Sequence, residues 1–168
     1  MPYCKKLSFV FSLVAALSTV QAQSGLSAAM LKPAHGAIAP YSSFTQKDSL
    51  ILVCFWSVNS EESLTELNAI NSKYEDWKQS VKFKMMAVSV DEGKLINRVR
   101  PTAIMNGWTF EVFDDFNEDL RKALNSNNFP QSFVIKNGKI VYQQSGYEAG
   151  TENYLFDKLA ASAKTNSQ

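Results

Sequence analysis

The residues best suited to chemistry are few. The 168-residue chain has two cysteines, Cys4 and Cys54, and one histidine, His35. A thiolate is a strong nucleophile and an imidazole a ready general base. Cys54 lies within Leu50 to Trp56, seven consecutive apolar residues. A cysteine in such a run behaves as a small hydrophobe, whereas a reactive thiol needs exposure, a helix start and a nearby positive charge. Peroxidase or monothiol exchange chemistry at Cys54 is the alternative enzyme reading, and it requires that thiol to be reachable. Ser60 as a hydrolase nucleophile would need a base beside it. His35 sits in a stretch broken by Pro33, Gly36 and Pro40, and no G-x-S-x-G arrangement is present. Asp114, Asp115, Glu118 and Asp119 cluster, but their spacing fits no EF-hand loop. The first two read as a turn and the other two as the acidic first turn of a helix. No close pair of His or Cys ligands offers a metal site, and no glycine-rich phosphate loop follows the first strong strand. No cofactor is expected.

Residues 1–22 carry a different pattern. Lys5 and Lys6 precede an apolar run from Leu7 to Leu17, and Val20-Gln21-Ala22 supplies the small residues of a cleavage site. This is the pattern of a signal peptide, with cleavage expected near Ala22-Gln23. The run is short for a bilayer span, so no stable membrane insertion is expected after its removal. Cys4 leaves with it, and the single remaining cysteine cannot form an internal disulfide. An exported dithiol oxidoreductase needs a second thiol to resolve its mixed disulfide. The chain carries 17 basic and 16 acidic side chains, and losing the two lysines takes the net charge from +1 to −1. That balance argues against nucleic acid, which calls for a concentrated basic patch.

The rest of the chain alternates between strand and helix patterns. Residues 23–48 are weakly patterned and read as a lead-in, with a short helix at Leu26 to Leu31. Leu50 to Trp56 reads as a strand covered on both faces. From Asn59 to Gln79 the apolar residues Leu64, Leu67, Ile70, Tyr74 and Trp77 recur at helical spacing. Asn59 and Glu62 at its start have the spacing of a capping box. Lys82 to Val90 is the next strand, making a βαβ unit with parallel strands. Gly93 to Asn106 is expected to be helical in two pieces, broken at Pro101. A short strand (Thr109 to Phe113) and a short helix (Glu118 to Leu124) follow. Asn137-Gly138 predicts a hairpin between Ser132 to Ile135 and Ile140 to Gln143. Glu152 to Ala161 closes the domain as a helix, and residues 163–168 read as a flexible tail.

In this order the chain resembles the thioredoxin-like superfamily, in particular the exported ResA/TlpA-type thiol–disulfide proteins, over Ser49 to Leu159. The resemblance rests on I51-L52-V53-C54-F55-W56, on Phe129-Pro130, on N137-G138-K139, and on V88-S89-V90-D91 followed by G107-W108-T109-F110. It implies an α/β fold with a central mixed sheet and helices on both faces. It also implies that the two active-site cysteines fall on Ser60 and Ser63, in the sequence S60-E61-E62-S63, and that Pro130 is a cis-proline facing them. Cys54 stands where a buried acid assists exchange in reducing members. A hydroxyl cannot form the sulfur–sulfur intermediate, so Ser60 and Ser63 are degenerate active-site positions. What remains is a groove of Trp56, Asn59, Ser60, Glu61, Phe129 and Pro130 that could hold an extended segment by backbone pairing.

The expected organisation is therefore a signal peptide (1–22), a lead-in (23–48), a thioredoxin-like domain (49–162) and a tail (163–168). The expected function is a redox-inactive module binding a protein or peptide partner in the cell envelope, periplasmic or secreted.

Overall fold

The computed structural model describes residues 25–46 and 49–164. The signal peptide expected at residues 1–22, Cys4 and residues 165–168 lie outside the described residues.

Seven strands form one mixed sheet in the order β2-β1-β5-β4-β3-β6-β7. They are β1 (Met30–Pro33), β2 (Ala39–Pro40), β3 (Leu50–Trp56), β4 (Lys84–Ser89), β5 (Glu111–Asp114), β6 (Gln131–Lys136) and β7 (Lys139–Ser145). The five helices are α1 (Tyr41–Phe44), α2 (Glu61–Ser80), α3 (Ile96–Met105), α4 (Asp119–Ala123) and α5 (Thr151–Lys164), and residues 25–28 are also helical. β3, β4 and β5 run parallel, while β6 pairs antiparallel with both β3 and β7.

β3 is central, and all seven of its residues are buried. Its side chains alternate between two cores. Leu52, Cys54 and Trp56 pack with Leu67, Ile70, Tyr74 and Trp77 of α2, Val99 and Ala103 of α3, and Leu155 and Leu159 of α5. Ile51, Val53 and Phe55 pack on the other face with Leu26, Leu31, Tyr41, Phe113, Leu120 and Phe133. Two-sided burial explains why β3 has no polar alternation. Each large aliphatic or aromatic side chain so buried contributes about 1.5–3 kcal/mol.

The hairpin forms where Asn137-Gly138 predicts it. Asn137 has φ 53° and Gly138 φ 73°, the positive pair that matches the twist of two-residue hairpins.

Three readings need correction. The N-terminal segment is more than a lead-in: β1 pairs antiparallel with β5, Lys32 opposite Asp114, and so belongs to the sheet. Met30 and Leu31 are therefore strand, and only residues 25–28 are helical. Pro101 does not divide α3, which runs unbroken from Ile96 to Met105 after a 3₁₀ turn at Gly93–Leu95. The carbonyl that Pro101 leaves without an amide belongs to Asn97, which is exposed, so water can satisfy it. Finally, Asn59 does not cap α2; Ser60 does.

Candidate functional site

The site begins where β3 runs into α2. Ser60 is the N-cap of α2, with extended backbone angles (φ −97°, ψ 103°). Its Oγ accepts from the backbone N–H of Ser63 at 3.2 Å and from the Ser63 hydroxyl at 2.8 Å. The two serines thus bond to each other and satisfy one of the free amides of the helix start. Ser60 is half-buried and Ser63 fully buried. Glu61 and Glu62 lie in the first turn, where the helix dipole favours negative charge.

The loop ahead of Ser60 is clamped from β4. The carboxylate of Asp91, itself buried, accepts from Ser57 Oγ at 2.7 Å, from Val58 N–H at 2.9 Å and from Ser89 Oγ at 2.8 Å. Asn59 is exposed and accepts from Arg98 Nη1 of α3 at 3.0 Å.

Opposite stands the loop before β6. The Phe129-Pro130 peptide bond is cis. Pro130 is buried, and Phe129 is half-buried with the Arg121 guanidinium 5.9 Å from its ring. The turn after β7 joins this loop to the helix start. Gly146 N–H donates to Pro130 O at 2.9 Å, and Tyr147 N–H donates to Glu62 Oε1.

Trp56 does not line an open groove. It is wholly buried, edge-on to Trp108 with ring centroids 4.8 Å apart. Trp108 stacks on Phe110 and donates its indole N–H to Asn68. Trp56 is therefore a core residue under the site.

Cys54 is fully buried and unbonded to sulfur, and desolvation followed by the nearby Glu66 carboxyl pushes its thiol well above the ordinary range. A thiol so placed is poorly ionised. Among the described residues no second cysteine exists to pair with it.

The sequence pattern assigns no site role to Glu66 or Ser132, and Asp91 enters it only through the V88-S89-V90-D91 stretch. Glu66 is 1% exposed in mid-helix, and its Oε1 accepts from Ser132 Oγ at 3.0 Å. Ser132 is the cross-strand partner of Cys54. Burial pushes the Glu66 carboxyl up to about 7, with Glu62 and Glu152 adding to the rise and the Ser132 hydrogen bond opposing it. A signal existed: Glu66 falls three residues after Ser63 and four before Ile70, on the buried face of α2.

Three of the four acids of the 114–119 cluster are spent on structure, and the fourth, Asp114, ends β5 with one buried carboxylate oxygen that has no hydrogen-bond partner. Asp115 accepts from the amides of Leu120 and Arg121, Glu118 pairs with Arg121 and Lys122, and Asp119 accepts from Met30 N–H. Among the described residues, no group of three or more His, Cys, Asp or Glu is arranged for a metal ion. His35 is exposed. A cavity of about 610 Å³, lined by Leu50, Lys82, Phe83, Lys84 and Lys136 among others, lies at the opposite end of β3 from Trp56 and is separate from this site.

A solved thioredoxin-like protein from Porphyromonas gingivalis, itself uncharacterized, matches at 34% identity with TM-score 0.73, over 85% of this chain and 94% of that one. The chain is a thioredoxin-like protein. Other solved structures share the fold at lower identity. A putative thiol:disulfide interchange protein DsbE from Chlorobium tepidum matches with TM-score 0.68 and 19% identity, over 80% of this chain and 92% of that one. The bacterioferritin comigratory protein of Xanthomonas campestris matches with TM-score 0.70 and 17% identity, over 83% and 95%. No family model matches the sequence, and no curated protein does either. The thioredoxin-like protein keeps the strand, the helix start and the cis-proline loop but has no CxxC: serine occupies 60 and 63. It lacks the cysteine pair that dithiol–disulfide exchange requires.

Proposed function

We propose that the thioredoxin-like protein is a redox-inactive module that binds an extended segment of a protein or peptide partner in the bacterial cell envelope. The observation that carries this reading is the Ser60–Ser63 hydrogen bond at the start of α2, with the Phe129-Pro130 loop joined to that start through Gly146 and Tyr147. The scaffold around a thioredoxin-type site is intact while the sulfur is gone. Asn59, Ser60, Glu61 and Phe129 are the members of the groove with surface to offer, and Pro130 supports them from below. Backbone pairing with an extended strand needs no covalent step.

The ResA/TlpA-type resemblance of V88-S89-V90-D91 and the signal-peptide pattern of residues 1–22 support an exported location, periplasmic or secreted, with a mature chain starting near Gln23. No helix among the described residues is long and apolar enough to cross a membrane. An enzyme working through Cys54 finds no support in a thiol that is wholly enclosed.

The test is capture of partners from envelope extract by the mature protein, compared with Phe129→Ala and Asn59→Ala variants. Loss of specific capture in the Phe129 variant supports the groove. Capture unchanged in both variants removes the groove as the binding surface.

A further inference from the structure

The turn between β7 and α5, residues 146–150, is pinned at both ends by carboxylates. At one end Tyr147 N–H donates to Glu62 Oε1. At the other, Gly150 N–H donates to Glu152 Oε2 at 2.9 Å, and the Tyr147 hydroxyl reaches the same oxygen at 3.0 Å. Gly146 packs so tightly on Glu62 that a Cβ there would stand 3.3 Å from Oε1, and its N–H holds the Pro130 carbonyl. Glu66 couples to both pinning carboxylates. Its Oε1 has Ser132, but its buried Oε2 has no hydrogen-bond partner. The titratable groups facing it are Cys54 of β3, Glu62 of its own helix, Tyr147 of the turn and Glu152 of α5. Lys73, the cation on this side, is committed to Glu152 at 2.6 Å and Asn153 at 2.8 Å.

We infer that Glu66 is a proton-operated latch: neutral, it lets Glu62 and Glu152 hold residues 146–150 against Pro130, and ionised, it repels both and frees the turn. The physical reason is that a charge on the buried Glu66 meets like charge from both Glu62 and Glu152. Glu62, one helical turn away, is exposed and its repulsion partly screened, whereas Glu152 is buried, with Lys73 already committed to it. With one oxygen unpaired, the ionised form also lacks the hydrogen bonds that would hold it there. Because burial holds this carboxyl up to about 7, the latch works near neutral pH. The inference deepens the groove reading and rests on it for one consequence: the turn is a wall of that groove, so partner affinity falls as pH rises through neutrality.

The test follows backbone amide NMR signals of Gly146, Tyr147 and Gly150, with the Glu66 carboxyl carbon, from about pH 3 to about pH 9, a range spanning the shifted and ordinary carboxylate values. The three amides are expected to move together with the midpoint of the Glu66 carbon. Glu66→Gln abolishes that transition. Ser132→Ala, which removes a donor to the charged form, shifts the midpoint upward and serves independently if the Gln variant does not fold. The latch is overturned if the amides stay still, if they titrate identically in Glu66→Gln, or if the Glu66 carbon titrates in the ordinary carboxylate range. A turn that titrates in a protein capturing nothing at any pH sinks the groove and leaves the latch. Capture that ignores pH while the turn stays silent does the reverse.

Discussion

The hydroxyl of Ser63 donates to that of Ser60 across 2.8 Å, at the first turn of α2 and on the positions to which the resemblance assigns a cysteine pair. The two side chains already point at each other. A Ser60→Cys/Ser63→Cys double variant should therefore close an intrachain disulfide under mild oxidation, read as loss of two free thiols and two hydrogens by mass. The unmodified protein should give background rates in a disulfide-reduction assay. Turnover well above background with Cys54 replaced by alanine would overturn the redox-inactive reading.

Ser60, not Asn59, satisfies the helix start. Ser60→Ala should destabilise the fold by about 1 kcal/mol, the usual worth of an N-cap. Asn59→Ala loses only an exposed bond to Arg98 and should cost less than about 0.5 kcal/mol. Urea unfolding of both variants measures the difference, and equal costs would reassign the cap.

Asp91 is buried and its carboxylate gathers three donors from two segments. Asp91→Ala strands the Val58 amide and two hydroxyls, at a cost of about 2–4 kcal/mol. Thermal unfolding should show this, with hydrogen exchange rising first in residues 57–59.

Glu66 makes stability depend on pH. Its folded-state value near 7 lies above the ordinary value of 4.5, so between them the folded state holds a proton that the unfolded state has released. Stability is full below about pH 4.5 and falls as pH rises through about 7, by about 3 kcal/mol for this group. Glu66→Gln should flatten that slope in urea titrations across the window. A variant as steep as the parent protein would assign the slope elsewhere.

Cys54 is wholly buried in the core covered by α2, α3 and α5. A thiol reagent should label it only through opening of the fold, at least about 10³-fold more slowly than in denaturant. Fast labelling of the native protein would reopen the one-cysteine enzyme reading.

Local patterns carried most of the architecture. The seven apolar residues of β3 declare a strand covered on both faces, Asn137-Gly138 declares a hairpin, and the spacing of Leu67, Ile70, Tyr74 and Trp77 declares the buried face of α2. These signals are legible because each depends on neighbours a few residues away. β1 was not legible, since a four-residue strand ending in proline has only the two-residue β2 as a nearby partner and joins the main sheet through β5, some eighty residues on. Trp56 looked like a groove residue because its neighbour in sequence is the site; only packing against Trp108 shows that it is core.

Sequence alone established that serine stands at 60 and 63 and that Cys54 is the one cysteine after Cys4. Both follow from composition and order. The tertiary structure decided what those facts mean, because hydrogen bonds and burial join residues far apart in the chain. It bonded the serines to each other and enclosed Cys54 in the core under α2. It also set Glu66 against Ser132, 66 positions away, where loss of water holds a surface-type residue near neutrality.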